Sequence, residues 1–314
     1  EGGSTWDEVL MLAKAIEQAG ATLINTGIGW HEARIPTIAT KVPRAAFTKV
    51  TAKLRGQVGI PLVTTNRINT PEVAEQVLAE GDADMVSMAR PFLADPDFVN
   101  KAAADRSDTI NTCIGCNQAC LDHTFSGKLT TCLVNPRACY ETELNYIPTT
   151  TIKKIAVVGA GPAGLAAATV AAERGHQVTL FDSSSEIGGQ FNIAKRVPGK
   201  EEFFETLRYF KSKLQSTGVD VRLNTRVSAA DLLAGGFDEI ILATGIAPRT
   251  PDIPGIDHPM VISYIDAILQ RKPVGQHVAV IGAGGIGFDV SEFITHNGLS
   301  TSLDREAFWR EWGI

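Results

Sequence analysis

Residues 154–164, KIAVVGAGPAG, determine the predicted fold of the second half of the chain. An apolar strand over 154–158 leads into a Gly-x-Gly-x-x-Gly turn and then into an alanine-rich helix. Gly159 allows the tight turn, Gly161 lets the backbone approach a phosphate, and Gly164 permits close packing of helix on strand. Because the turn places a pyrophosphate at the helix N-terminus, the stretch predicts a dinucleotide-binding βαβ unit.

The segments that follow extend this nucleotide-binding pattern. A second predicted strand, 177–181, ends at Asp182, whose carboxylate is suited to accept hydrogen bonds from a ribose hydroxyl. Residues 278–281, VAVI, form another strand-like stretch before a second glycine-rich turn, which predicts the start of another nucleotide domain. The residues that discriminate NADPH from NADH lie beyond this motif, so the donor stays open. The glycines of the second turn are Gly282, Gly284 and Gly287.

All five cysteines lie between Cys113 and Cys139, which indicates one local site rather than a disulfide framework. Four thiolates can hold a [4Fe–4S] cube inside a wrapped loop whose N–H groups point at sulfur, and Gly115 permits the sharp turn. A structural zinc ion is the alternative, although zinc ribbons usually show two C-x-x-C pairs. Cys139 is expected to be a spare thiol. The predicted cluster ligands are Cys113, Cys116, Cys120 and Cys132.

The first hundred residues alternate helical and strand-like patterns. Repeated βα units predict parallel strands, in either a closed barrel or an open doubly wound sheet. Three strands cannot close a barrel, so a (β/α)8 barrel would be represented only by its last units. The predicted helices cover 5–18, 46–57 and 71–80, and the predicted strands cover 22–26, 61–65 and 84–88.

We therefore predict an α/β chain with four parts. The C-terminal part of a (β/α)8 barrel covers 1–104, and a cysteine-rich, cluster-binding linker covers 105–150. A Rossmann-like dinucleotide domain covers 151–271, and the start of a second nucleotide domain covers 272–314.

Charge and composition exclude several classes of protein. The net charge of −6 at pH 7 disfavours a nucleic-acid surface or a basic membrane anchor. The first residues are polar and acidic with no apolar core after them, so we expect no signal peptide. The longest apolar stretch, 155–172, is interrupted by glycines and Pro162, which favours a buried strand, turn and helix over a membrane span. Together with the clustered cysteines, these features predict a cytoplasmic protein.

Three side chains near predicted strand ends are candidates for an active site. Arg67 and Arg90 follow two strands at their carboxyl ends, where barrels build phosphate sites, and a guanidinium can bind phosphate through two hydrogen bonds. Surface salt bridging is the alternative role for each arginine. His31 lies just after another strand and is suited to proton relay, although a single histidine is more often structural.

The order of these motifs resembles a family of iron–sulfur flavoproteins that includes NADPH-dependent 2,4-dienoyl-CoA reductase and, less closely, trimethylamine dehydrogenase. Residues 87–96, SMARPFLADP, resemble the last strand of old-yellow-enzyme barrels. Residues 29–34 (GWHEAR) and 111–120 (NTCIGCNQAC) resemble the dienoyl-CoA reductase pattern. Residues 238–245 (DEIILATG) resemble the segment that closes over FAD in two-dinucleotide-binding flavoproteins.

The resemblance implies an electron path from NADPH through FAD and a 4Fe–4S cluster to FMN, which reduces a 2,4-dienoyl-CoA thioester in the β-oxidation of unsaturated fatty acids. It implies FMN contacts for Arg67, Ala89 and Arg90, and proton transfer by His31 together with a tyrosine. The implied FAD contacts are Gly159, Gly161, Pro162, Ala163, Gly164, Asp182, Gly189, Gln190, Ala243, Thr244 and Gly245. The implied NADPH contacts are Gly282, Gly284 and Gly287.

Two other functions stay open from the sequence. A protein like trimethylamine dehydrogenase would oxidise an amine and pass the electrons outward, but the second glycine-rich turn favours NAD(P)H as donor and hence reduction. The resemblance also implies that the family's acid tyrosine, its first five barrel strands and much of its NADPH domain lie outside these 314 residues. We therefore expect the polypeptide alone to be an inactive flavoprotein fragment that needs those parts.

Overall fold

The computed structural model describes residues 3–29 and 33–314 and divides into two compact units. Unit 1 contains the described residues up to Tyr140 together with Leu299–Ile314, and unit 2 contains Glu141–Gly298. The chain thus leaves unit 1, forms unit 2 and returns to unit 1. The domain boundaries predicted at 104, 150 and 271 stay predictions.

Unit 1 contains a parallel three-stranded sheet of order β1-β2-β3. All three strands lie inside the predicted ranges and are shorter than them, because a strand counts only where a neighbour completes its hydrogen bonds. The central strand is buried along its whole length. Parallel pairing agrees with the repeated βα pattern, and closure into a barrel stays a prediction. The strands are β1 (Ile24–Asn25), β2 (Leu62–Thr64) and β3 (Met85–Val86).

Local capping signals explain where the helices of unit 1 begin. Thr5 caps α1 reciprocally: its hydroxyl accepts from the N–H of Glu8, and the Glu8 carboxylate accepts from the N–H of Thr5. Thr70 caps α3, with proline at the first helical position. The predicted helix over 46–57 is shorter in the structure and has no side-chain cap. The helices are α1 (Trp6–Gln18), α2 (Thr48–Ala52), α3 (Pro71–Ala79), α4 (Arg90–Ala94), α5 (Phe98–Ala103) and α6 (Leu121–Phe125).

Unit 2 is a parallel four-stranded sheet of order β6-β5-β4-β7. Both predicted strands, 154–158 and 177–181, are confirmed as β4 and β5. Their apolar side chains pack against α7 and α9 in one core that includes Val157, Leu165 and Leu180. The strands are β4 (Lys154–Val158), β5 (Gln177–Phe181), β6 (Asp220–Arg222) and β7 (Glu239–Leu242). The helices are α7 (Pro162–Glu173), α8 (Phe191–Ala194), α9 (Phe203–Thr217), α10 (Ala229–Ala234), α11 (Tyr264–Ile268) and α12 (Gly285–Thr295).

One predicted strand of unit 2 is wrong. Residues 278–281 have no strand partner among the described residues and belong to no helix or strand. Their apolar side chains remain accessible, with Val280 41% and Ile281 72% exposed. An extended segment becomes a strand only through hydrogen bonds to a neighbour, and apolar periodicity alone does not supply that neighbour.

The returning segment packs on unit 1 through the last helix, α13 (Arg305–Trp312), which Asp304 caps. Phe308 is fully buried and meets Phe47 edge to face, with ring centroids 6.3 Å apart. The indole N–H of Trp309 donates to the carbonyl of Ala46 at 2.8 Å. The sequence placed these residues with the second nucleotide motif, whereas their packing partners lie in unit 1.

None of the helices in the described part of the chain combines the length and hydropathy needed to cross a bilayer.

Candidate functional site

The four cysteines predicted as cluster ligands line one small cavity in unit 1. All five cysteines are outside disulfides, and Cys139, predicted as a spare thiol, is exposed and does not line the cavity. In the described residues, no group of His, Cys, Asp or Glu side chains is arranged to hold a single metal ion. The cavity is lined by Arg90, Leu93, Cys113, Ile114, Cys116, Asn117, Cys120, Cys132, Leu133 and Val134.

The cysteines of the cavity are partly buried, and this changes the pKa of two of them. Burial raises the pKa of Cys132 to about 11 and also raises the pKa of Cys116. Backbone N–H groups oppose these shifts, from Gln118 at Cys116 and from Val134 and Asn135 at Cys132. The two thiols are therefore protonated at neutral pH, and a bound metal would have to displace their protons.

This donor set fits an iron–sulfur cluster. Four sulfurs surround one apolar cavity, and backbone N–H groups point at two of them, as in cluster sites whose potential is tuned by hydrogen bonds to sulfur. A mononuclear zinc site needs four sulfurs gathered tightly around one ion, and the described residues present no such group.

Gly115 lets the cysteine segment approach the rest of unit 1 closely. Its φ is +64°, and a Cβ built there would lie 3.0 Å from Nη1 of Arg67 and 3.1 Å from Cα of Thr40. Asn117, one residue after Cys116, is also left-handed at +63°. The predicted sharp turn at Gly115 is confirmed, and packing adds a second reason for glycine there.

Polar side chains that the sequence did not single out anchor this segment. The Nδ2 amide of Asn69 donates to the carbonyl of Cys113 at 2.9 Å. Buried Asp95 accepts from the backbone N–H of Asn111 at 2.8 Å and pairs with Lys101 at 2.6 Å. The sequence indicates these residues only by their position. Asn69 and Asp95 follow the two candidate arginines, and Asn111 precedes the first cysteine.

Both candidate phosphate arginines direct their side chains at neighbouring protein groups. Arg67 is 5% exposed, and its Nε donates to the carbonyl of Val42 at 2.9 Å. It follows Asn66, and both residues have left-handed backbones, a strain that often marks functional positions. Arg90 is half-buried, and its Nη1 donates to Oδ1 of Asn117 at 2.5 Å. Phosphate binding by the two arginines stays a prediction.

Two further candidates complete this region. Ala89 is the residue before α4 and contributes no side-chain cap. His31 lies outside the described residues, so its predicted role in proton transfer stays a prediction.

The first glycine-rich loop has the tight geometry that its motif predicts. Gly159 has φ +108°, and a Cβ there would lie 2.2 Å from the carbonyl oxygen of Ala243. A Cβ on Gly164 would lie 1.8 Å from the carbonyl oxygen of Gly159. Gly161 is the N-cap of α7, and Pro162 is its first residue. The loop thus ends in a helix N-terminus of the kind that binds pyrophosphate.

Asp182 holds the loop from the neighbouring strand. Its Oδ2 accepts from the N–H of Ala160 at 2.6 Å, and its Oδ1 accepts from the N–H of Ser184 at 2.7 Å. A carboxylate has about four lone-pair positions, so both contacts leave capacity for a ribose hydroxyl. The ribose contact stays a prediction.

The side chain of Gln190 connects two later segments of unit 2 by hydrogen bonds, close to the first glycine-rich loop. Its amide donates to the carbonyl of Ile246 at 2.7 Å and accepts from the hydroxyl of Tyr264 at 2.9 Å. Gly189 has φ +53°, and its Cβ would lie 3.1 Å from Cα of Gly161. Tyr264 is a contact that no motif in the sequence indicates. The exposed members of the predicted FAD set are Pro162, Ala163, Gly189, Gln190, Thr244 and Gly245.

The second glycine-rich loop repeats the turn in open surroundings. Gly282 has φ +114°, Gly284 is the N-cap of α12, and nothing lies within 4 Å of a Cβ built on either. A Cβ on Gly287 would lie 2.0 Å from the carbonyl oxygen of Gly282. Lys200 fixes α12, because its Nζ lies 2.6 Å from both carboxylate oxygens of Asp289.

Comparison with known proteins matches two separate segments of the chain to two different families. Residues 1–109 match the NADH:flavin oxidoreductase / NADH oxidase family, and residues 153–305 match the pyridine nucleotide-disulphide oxidoreductase family. The two matched segments follow one another in the order predicted from the sequence for an FMN-type segment and a dinucleotide-binding segment.

Individual relatives are similar over nearly the whole chain. The chain is 38% identical to a metal reductase of Desulforamulus reducens over 97% of its own length and 46% of that protein. It is 31% identical to a cinnamate reductase of Clostridium sporogenes over 96% of its length and 45% of that protein. A solved 2-naphthoyl-CoA reductase, 31% identical, superposes with a TM-score of 0.89 over 99% of this chain and 50% of that one. The chain spans about half the length of these relatives.

Proposed function

Since residues 1–109 and 153–305 match segments of two oxidoreductase families, we propose that the chain forms part of a flavin-dependent reductase supplied by NAD(P)H. The proposed cofactors are FMN in unit 1, FAD at the Gly159 loop, and a [4Fe–4S] cluster on the four cavity cysteines. The proposed substrate carries a carbon–carbon double bond conjugated to a carbonyl group, as in a 2,4-dienoyl-CoA thioester.

The cysteine cavity is the observation that carries this proposal. Its four cysteines line one small apolar cavity in unit 1, directly after residues 1–109, which match the FMN-type family. When bound, two flavins and a cluster would supply two-electron and one-electron exchange in one protein. A cluster on this segment distinguishes the chain from a flavoprotein that transfers hydride alone.

The roles of the protein groups follow from their contacts. Cys116 and Cys132 give up their protons on cluster binding, since metal ligation requires thiolates. Asn69 holds the carbonyl of Cys113, and Gly115 lets the segment lie against Arg67. In unit 2 the helix that begins at Pro162 offers its N–H groups to a pyrophosphate.

The substrate class draws on the relatives and on chemistry. Cinnamate and 2-naphthoyl-CoA both present unsaturated carbon conjugated to a carboxyl or thioester group, the arrangement that accepts hydride most readily. The solved 2-naphthoyl-CoA reductase is similar over nearly the whole chain, which supports an acyl-CoA thioester. A dienoyl-CoA is our specific proposal within this class.

Cofactor content after anaerobic purification tests the cluster. The protein should contain about four iron atoms and as much sulfide per chain. Cys120→Ser should lose most of that iron, since Cys120 lines the cavity. Cys139→Ser is the matched control and should keep it, because Cys139 is exposed and outside the cavity. Zinc in place of iron, or equal iron in both variants, contradicts the proposal.

Substrate-dependent oxidation of NAD(P)H tests the reaction in the full-length protein. We expect NAD(P)H consumption with 2,4-hexadienoyl-CoA and none with the saturated hexanoyl-CoA. Reduction of an artificial electron acceptor by dimethylamine, with no response to the dienoyl thioester, would instead establish amine oxidation.

A further inference from the structure

Arg90 carries the only permanent charge among the residues that line the cysteine cavity in the described structure. The other lining side chains are four cysteines, one asparagine and apolar residues. A charge in partly buried surroundings is weakly screened, so the guanidinium that lines the cavity acts on it directly, while the second guanidinium nearby, that of Arg67, lies against Gly115 outside the lining.

The guanidinium is held toward the cysteine segment. Arg90 is the first residue of α4, and buried Pro91 follows it. Its Nη1 donates to Oδ1 of Asn117, which lies between Cys116 and Cys120 in the chain. The left-handed backbone of Asn117 turns its side chain to this position. The contact thus joins the start of α4 to the cysteine segment.

We propose that Arg90 sets the reduction potential of the cluster, an inference that rests on the proposed function above. A [4Fe–4S] cluster with four thiolates is an anion and gains one further negative charge on reduction. One electron enters, no bond forms or breaks, and the guanidinium keeps its proton. A fixed positive charge at the cavity wall stabilises the reduced cluster more than the oxidised one and so raises its potential.

Asn117 positions this charge. Without its carboxamide, the guanidinium loses the hydrogen bond that holds it beside the cysteines and can turn toward water. Asn117→Gly removes the side chain while glycine tolerates the left-handed backbone. The variant therefore separates the position of the charge from its presence.

An EPR-monitored redox titration of anaerobically purified protein tests the proposal. Arg90→Gln should lower the cluster's equilibrium constant for reduction about tenfold, about 59 mV for a one-electron couple. Arg90→Lys keeps the positive charge and should lower the potential less. The shift in Asn117→Gly should lie between those of Arg90→Lys and Arg90→Gln. Arg55→Gln is the surface control, since Arg55 is 41% exposed beside Asp84, and should leave the potential unchanged.

FMN content is measured in each variant, because Arg90 is also a candidate phosphate ligand. The cluster potential of flavin-depleted wild type shows the effect of flavin loss alone. The proposal requires the cluster potential of Arg90→Gln to be lower than that value. A full complement of iron with an unchanged potential in Arg90→Gln overturns the proposal. If that variant binds no iron, an unchanged potential in Asn117→Gly overturns it. Absence of iron from wild type contradicts the proposed function itself.

Discussion

The two glycine-rich loops of unit 2 carry the same motif in different surroundings. Gly159 and Gly282 have nearly equal φ values, +108° and +114°. Gly164 and Gly287 each bring a helix against the carbonyl of the first glycine. A Cβ on Gly159 would strike the carbonyl of Ala243, whereas nothing lies within 4 Å of one on Gly282.

The strands before the loops differ in the same way. β4 lies between β5 and β7, and its central residues are fully buried. Residues 278–281 have no strand partner in the described structure. The motif therefore encodes a turn and a helix start, which are local, while the sheet around it depends on distant segments. Substitutions should have equal effects where the loops agree and unequal effects where they differ.

The largest expected difference lies at the first glycines. Gly159→Ala adds a Cβ 2.2 Å from a backbone oxygen at a left-handed position, so strain of about 1–3 kcal/mol combines with overpacking of about 1–3 kcal/mol. Gly282→Ala adds only the strain. Chemical unfolding, with hydrogen exchange to assign each transition, should show greater destabilisation for Gly159→Ala. Equal losses would show that the two loops have the same surroundings.

The third glycines should respond alike. Cβ atoms on Gly164 and Gly287 would lie 1.8 Å and 2.0 Å from the carbonyl of the first glycine in their loop. Each substitution to alanine should therefore cost about 1–3 kcal/mol, because helix and turn must separate. Hydrogen exchange at the start of α7 and of α12 measures this locally. A large loss of protection in Gly164→Ala alone would show that Gly287 does not pack against the carbonyl of Gly282.

The carboxylate of Asp182 should matter to the first loop only. Asp182→Asn replaces one carboxylate oxygen by an amide NH2 group, which cannot accept a hydrogen bond from the backbone N–H that faces it. We expect this loss to destabilise the loop by about 1–2 kcal/mol. Faster exchange should appear at Ala160 and Ser184, with residues 282–287 unaffected. Asp220→Asn, at an exposed pair with Arg222, is the control. A uniform change across both loops would argue against a local role.

The smallest expected effect concerns the helix after the second loop. Lys200→Met breaks the half-buried pair with Asp289 and should weaken the docking of α12 by about 0.5–1 kcal/mol. Protection of residues 285–295 from exchange should fall. Lys153→Met removes a more exposed pair with Glu239 and serves as control. Identical exchange in α12 for both variants would show that apolar packing alone holds that helix.

Much of the local structure was predictable from the sequence because the signals lie within a few residues. Ser4 or Thr5 is suited to cap the first helix and Thr70, before Pro71, to cap another; the structure has Thr5 and Thr70 at these positions. The strands over 154–158 and 177–181 were also predicted correctly. The extended segment over 278–281 shows the limit, since its apolar residues match a strand but no partner pairs with it.

The candidate site divides in the same manner. The spacing of the cysteines predicted that four of them act together, and the structure places those four around one cavity without Cys139. The sequence did not indicate which protein groups Arg67 and Arg90 contact. Both were predicted to bind phosphate, and in the structure both donate hydrogen bonds to neighbouring protein groups.

Turns, caps and the grouping of thiols were determined by the sequence alone, since each depends on residues close together in the chain. Tertiary structure decided that Phe308 packs on Phe47 and that Arg90 meets Asn117. Such contacts join segments far apart in sequence, and they form only where the burial of apolar surface offsets the entropy of closing the chain between them.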